Sequence, residues 1–218
     1  MGVCHLLIDE QGDAALIDTG MIGERGQILR TLARHGLGAA DLKAILLTHG
    51  HLDHAGNLAW AKKVSGATVY AHPVEQAHID GTFPYAGAAR WCGRLERAGY
   101  TLFGYEPAKI DHCIDDGDEL PVWGGLRVLH LPGHTLGHCG FYSERHRLLF
   151  SGDLFASYFF NVHLPPAILN AAPELIPASL RRVRAMAPKL IVPQHYDVLD
   201  GALHARRFDA LCRRLRID

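Results

Sequence analysis

Neither sign of charge is in excess. Lys and Arg number 22 against 23 Asp and Glu, a formal net charge of -1 over 218 residues. Acids and bases are interspersed, so there is no electrostatic footprint for nucleic acid or an anionic membrane. Long apolar runs are also missing. Stretches such as 44–47 and 190–192 are far too short to span a bilayer. The opening "MGVCHLLIDEQGDAALIDTG" has no basic segment and no cleavage-site pattern, so no signal peptide is expected. Cysteine is sparse: Cys4, Cys92, Cys113, Cys139 and Cys212 are odd in number and scattered, with no C-x-x-C. No disulfide framework is expected, and a reducing cytoplasm is the simplest compartment. Low-complexity segments and linkers are absent as well.

What remains is apolar residues at 48%, ample for a core, and 15 histidines. The length suits one large domain or a fused pair of repeats. Period-2 and short apolar segments predict strands over 3–9, 14–18 and 41–48, then "ATVYAH", "LRVLH", "CGFYSE", "RLLFSGD" and "KLIV". Helical spacing marks "GERGQILRTLARHG", with apolar positions 28, 29, 32 and 33, and also "NLAWAKKVSG", "PVEQAHID", "PELIPASLRRVRAMAP" and the closing "ALHARRFDALCRRLRID". Residues 81–108, rich in glycine and aromatics, break this rhythm and read as a helical insertion or flap. Both halves therefore hold strands with helices around them. The simplest architecture is two mixed sheets face to face with helices on both outer sides, as one domain over 1–218.

The histidines are not scattered. "LLTHGHLDHAGN" crowds His49, His51, Asp53 and His54 behind a strand. Imidazole and carboxylate are the usual ligands of zinc and related divalent ions, and neither half of this loop completes a site. Three other strand ends each offer one more donor: His134 in "LPGHTLGH", Asp153 in "FSGDLF" and His195 in "VPQHYD".

With "LIDTG", "THGHLDHAGN", "PGHTLGH", "SGD" and "PQH" in this order along nearly the whole chain, the sequence resembles the metallo-β-lactamase superfamily of hydrolases. The resemblance implies a four-layered αββα sandwich and two divalent ions, zinc foremost, with iron or manganese as alternatives. It implies that His49, His51 and His134 hold one ion and that Asp53, His54 and His195 hold the other. Asp153 then bridges them together with a hydroxide. It places Asp18 and His138 behind the ligands, as supports. Asp53 also becomes the candidate catalytic residue, orienting the hydroxide or passing a proton to the leaving group.

Departures from the family's branches narrow the substrate. The bridging position is Asp153, unlike true β-lactamases of the superfamily, and His51 stands where diiron oxygen-reducing relatives carry glutamate. The full donor set differs from single-iron persulfide oxidisers, and an iron-dependent sulfur-compound dioxygenase stays as the lesser alternative. A glyoxalase II-like thioesterase is an alternative, though such enzymes carry a helical domain and only 23 residues follow His195 here. Lactonases place a tyrosine three residues after the bridging aspartate, where this chain has Ala156, with Tyr158 two further on. The expectation is hydrolysis of a small carboxylic ester, lactone or thioester by a cytoplasmic enzyme. Its expected partner is a small molecule, not nucleic acid or membrane, and it can form a homodimer. Tyr158, Phe159, Phe83, Tyr85 and Trp91 are expected at the substrate pocket. The 81–108 insertion is expected to shape substrate preference more than metal content.

Overall fold

The computed structural model describes residues 4–82, 85, 90–158 and 161–218. Its first sheet has the order β1 (His5–Ile8), β2 (Ala14–Ile17), β3 (Leu42–Leu46), β4 (Thr68–Ala71), β5 (His112–Cys113). β1 pairs antiparallel with β2, and the remaining pairs are parallel. The second sheet contains β6 (Glu119–Leu120), β7 (Leu126–His130), β8 (Cys139–Ser143), β9 (Leu148–Gly152) and, beyond a short β10 (Ala156–Tyr158) and β11 (Asn161–His163) ribbon, β12 (Leu190–Pro193). Its spatial order is β12-β9-β8-β7-β6, antiparallel except between β9 and β12. Both sheets are therefore mixed.

Side chains alternate faces along a strand, so each strand supplies two cores. Ala15, Ile17, Ala44 and Leu46 meet Val128, Phe141, Phe150 and Val192 between the sheets. Their neighbours Leu16 and Ile45 face the other way, onto Ile28 and Leu32 of α1 (Arg25–Arg34) and Leu58 and Ala61 of α3 (Leu58–Ser65). Leu129, Leu149 and Ile191 face Leu180 and Val183 of α6 (Ile176–Met186) and Phe208 and Leu211 of α7 (Gly201–Arg214). Three separate apolar interfaces between four layers make the αββα sandwich. The helical spacing misjudged two positions: Leu29 and Ala33 are exposed, while Ile28 and Leu32 alone carry the buried face of α1.

Between β3 and β4 lie α2 (Leu52–Ala55) and α3, and α4 (Gln76–Ile79) follows β4. Within the 81–108 insertion, Arg90–Phe103 forms a helix, α5. Among the described residues no helix is long and apolar enough to cross a membrane.

Candidate metal centre

β7 and β9 are both antiparallel to β8, and β12 is parallel to β9, so all three run in one direction. Their C-terminal ends share one edge of the second sheet. His134 follows β7, Asp153 follows β9 and His195 follows β12. From the first sheet, the chain leaves β3 extended through His51 and turns into α2, which carries Asp53 and His54. Two glycines let these loops close up. A Cβ on Gly50 would lie 2.6 Å from the His78 Cβ, and one on Gly152 (φ +53°) would lie 2.5 Å from His138 Nε2.

All seven sequence-predicted donors come together. Donor atoms of His49, His51 and His134 lie within 4.8 Å of one another, as do those of Asp53, His54 and His195, and those of His49, His54 and Asp153. Asp153 joins the two histidine groups. Its Oδ2 is 3.5 Å from His134 Nε2 and 3.2 Å from His195 Nε2, and its Oδ1 is 3.4 Å from His54 Nε2. Asp53 Oδ2 lies 3.3 Å from His195 Nε2. Most of the set is sealed; His195 and Asp53 are the exposed members, with side chains 20% and 28% accessible.

Counting protons shows what the cluster is built for. A neutral imidazole has one N–H and one lone pair, and an ionised carboxylate can only accept. His54 Nδ1 lies 2.9 Å from Asp18 Oδ2, so Nδ1 carries the hydrogen. The Thr48 hydroxyl donates to Asp18 Oδ2 at 2.8 Å, so it accepts from His49 Nδ1 at 3.1 Å. Asn170 donates its amide to the Pro165 carbonyl at 3.2 Å, which turns its Oδ1 toward His134 Nδ1 at 3.0 Å. Tyr158 Oη takes His195 Nδ1 at 3.1 Å. His51 is turned around: its Nε2 meets Tyr85 Oη, and its Nδ1 faces His134 Nε2 at 3.0 Å. Each of the five rings thus spends one nitrogen on a protein partner and aims the other at the centre. This is how metal-binding histidines are held. His49 Nε2 is buried with no hydrogen-bond partner among the described residues. Five nitrogens and two carboxylates fit two divalent ions.

Asp18 and His138 act from behind. Asp18 accepts from the Thr48 N–H at 2.8 Å, the Thr48 hydroxyl, His54 and the Gln194 amide, tying β2, β3, α2 and the His195 loop together. His138 donates Nδ1–H to the Leu131 carbonyl at 2.9 Å and accepts the Asp153 N–H on Nε2 at 3.0 Å, fixing the Asp153 loop. Glu75 is a residue that sequence reasoning missed. This fully buried carboxylate accepts from Gly50 N–H at 2.7 Å and Gly137 N–H at 2.9 Å, stapling the His49–His51 loop to the His134 turn. Burial pushes it up to about 7, against those two donors.

Electrostatics divide the rings. Burial, reinforced by neighbouring imidazoles, holds His49 and His51 well below the usual histidine range. Burial also lowers His134, although Asp153 opposes it. Burial works the same way on His54 and His195, but their carboxylate neighbours outweigh it. His54 is held well above the usual range by Asp153, Asp53 and Asp18, and His195 is pushed up to about 9 by hydrogen bonds to Asp153 and Asp53. Asp153 and Asp53 thus concentrate negative charge beside His54 and His195, where a cation would compete with protons for the ring nitrogens.

Beside the centre, Asp153, Phe155, Ala156, Tyr158, His163, Pro165, Pro166, Leu169 and His195 enclose a cavity of about 270 Å³. Of the expected pocket residues only Tyr158 lines it. Phe83 and Phe159 lie outside the described residues. Tyr85 is buried against His51 and not in this cavity. Trp91 is corrected outright: it is 60% exposed, with the Arg94 guanidinium over its ring, because it sits on the outer face of α5. Leu169, Pro165 and Pro166 come from an irregular stretch that has no pattern to mark it.

A four-layered αββα fold with a His/Asp cluster at the sheet edge defines a class, the metal-dependent hydrolases of this architecture. The chain belongs to the metallo-beta-lactamase superfamily, whose family model matches residues 2–195. It is 30% identical over 153 residues to the hydroxyacylglutathione hydrolase GloC of Haemophilus influenzae, an alignment covering 69% of this chain and 65% of that enzyme. Among solved structures it is similar to the metallo-beta-lactamase family protein TTHA1429 from Thermus thermophilus (TM-score 0.75, 27% identity, 99% of this chain and 75% of that one). It is similar also to TTHA1623 in a di-iron-bound form (TM-score 0.69, 28% identity, 95% and 93%).

Proposed function

We propose that this protein is a dinuclear metal hydrolase acting on a small carboxylic ester, lactone or thioester. The observation that carries the reading is the convergence of five imidazole nitrogens and two carboxylates at the mouth of an apolar cavity. His49, His51 and His134 would hold one ion, Asp53, His54 and His195 the second, and Asp153 both. Zinc suits this donor set, with iron or manganese as alternatives. When bound, such ions bring the pKa of water toward neutrality and polarise a carbonyl.

The rest is done by the chain. Asp53, the most accessible of the donors, is placed to take up the proton of the attacking water and pass it to the leaving group. Phe155, Pro165, Pro166 and Leu169 offer the acyl part an apolar wall and keep bulk water from that side. Tyr158 stands at the same wall with its hydroxyl engaged by His195, so it orients a donor and is not free to act as the lactonase tyrosine does.

A thioester is the reading to set beside a lactone, because the hydroxyacylglutathione hydrolase relative is named for one. A hydrolysis screen of lactones, thioesters, β-lactams and phosphodiesters on zinc-, manganese- and iron-loaded protein decides. Turnover of carboxylic esters, lactones or thioesters alone is expected; turnover confined to β-lactams or phosphodiesters would refute the substrate class.

A further inference from the structure

His51 is the odd ring of the five. The others are oriented from within the two sheets and their loops. His51 alone turns its outward nitrogen toward the insertion. Tyr85 Oη meets Nε2, and Glu96 Oε1 of α5 lies 3.6 Å from the same nitrogen, with the Glu96 side chain only 12% exposed. Glu96 is an acceptor when ionised, so the hydrogen of His51 is drawn to Nε2. That leaves the lone pair on Nδ1, 3.0 Å from His134 Nε2 and inside the donor group of His49 and His134.

The helix is fastened in this position. Tyr100 Oη donates to the His78 carbonyl at 3.0 Å. Gly99 lets α5 approach α2: a Cβ there would come 2.9 Å from Leu52 Cδ2. Tyr85 packs with Tyr100, Leu169 and Ala171, which joins the insertion to the cavity wall.

We propose that Glu96, with Tyr85, is a positioning residue for the metal centre: it sets the tautomer and orientation of His51 and so the affinity of the ion held by His49, His51 and His134. The inference rests on the dinuclear reading above. It reverses the expectation that the insertion serves substrate preference more than metal content. In Glu96→Gln the amide can offer an N–H to His51 Nε2, which favours the tautomer with its hydrogen on Nδ1 and removes the inward lone pair.

The test is metal binding by the full chain, read by elemental analysis after dialysis and by zinc titration against a chelating dye, with no activity measured. The wild type is expected to retain two ions. Glu96→Gln should weaken one of the two zinc sites by roughly 10- to 100-fold, the range seen when the group behind a metal-binding histidine is lost. The other site should be unchanged, as should far-ultraviolet circular dichroism. Tyr85→Phe should act in the same direction, and Glu96→Asp should restore part of the loss. Leu95→Gln, on the exposed side of α5, should bind as the wild type does. If Glu96→Gln and Tyr85→Phe both hold two zincs with wild-type affinity, the proposal is overturned. Equal loss in Leu95→Gln would also overturn it, since the helix would then matter only as structure. A wild type that binds no metal contradicts the dinuclear reading itself.

Discussion

His54 in α2 and His204 in α7 are both fully buried, yet their nitrogens meet different fates. His204 donates Nε2–H to the Val198 carbonyl at 2.7 Å and accepts the Ser157 hydroxyl on Nδ1 at 2.9 Å. Both nitrogens are satisfied by the protein, so the α7 corner is closed chemically as well as sterically. His54 spends Nδ1 on Asp18 and turns Nε2 toward Asp153 and Asp53. Burial alone does not distinguish these corners. What distinguishes them is a ring nitrogen turned toward other metal-ligating side chains, repeated five times at one sheet edge and absent at His204. A buried histidine with both nitrogens satisfied stabilises a fold; one with a nitrogen held in reserve is prepared for a ligand.

The sharpest way to break the comparison is Asp53→Ala. It removes the accessible acid from the metal edge and leaves the packing alone. It should lower kcat by about 10²- to 10⁴-fold, with the thermal midpoint little changed; wild-type kcat would refute the role given to Asp53.

A second prediction concerns a half-buried histidine away from the centre. Burial lowers His5 to about 4, and its ring packs near Phe150 and Tyr196. The folded chain therefore favours neutral His5. The stability this contributes is complete above the unfolded value of 6.5 and is lost as pH falls from there toward 4. His5→Phe should reduce the loss of unfolding free energy between pH 7 and 4 by up to about 3 kcal/mol. Urea titrations with chelator present measure this, and an unchanged pH slope would contradict it.

His204→Leu sharpens the contrast directly. It strands the Val198 carbonyl and removes the acceptor of the Ser157 hydroxyl, so it should cost about 1–3 kcal/mol and leave metal content untouched. Loss of metal there would erase the distinction between the corners. The smallest effect is expected at the cavity. Leu169→Ala removes part of the apolar wall and should raise KM for apolar acyl substrates by about fivefold to tenfold, on the order of 1 kcal/mol. A change in kcat alone would place Leu169 elsewhere in the mechanism.

The layered fold was legible because each strand alternates between two cores, as Leu16/Ile17 and Tyr142/Phe141 do. The donors were legible because strand ends carry them at short, chemically distinctive spacings. What lay beyond the sequence is whatever acts across long separations. Glu75 reaches Gly137 over 62 residues and Asn170 reaches His134 over 36; neither has a local pattern. The contacts of the insertion were illegible for the same reason. Its aromatics pointed to a substrate pocket, but a helix has two faces and only tertiary contact shows which one meets the site. Trp91 lies on the outer face, and Glu96 contacts His51.

The most direct test of the account is the number of tightly bound divalent ions per chain, measured by elemental analysis on the wild type and on His134→Ala after exhaustive dialysis. Two ions in the wild type and fewer than two in folded His134→Ala are predicted. A folded wild-type chain that retains no ion and still hydrolyses its substrate in the presence of chelator would contradict it.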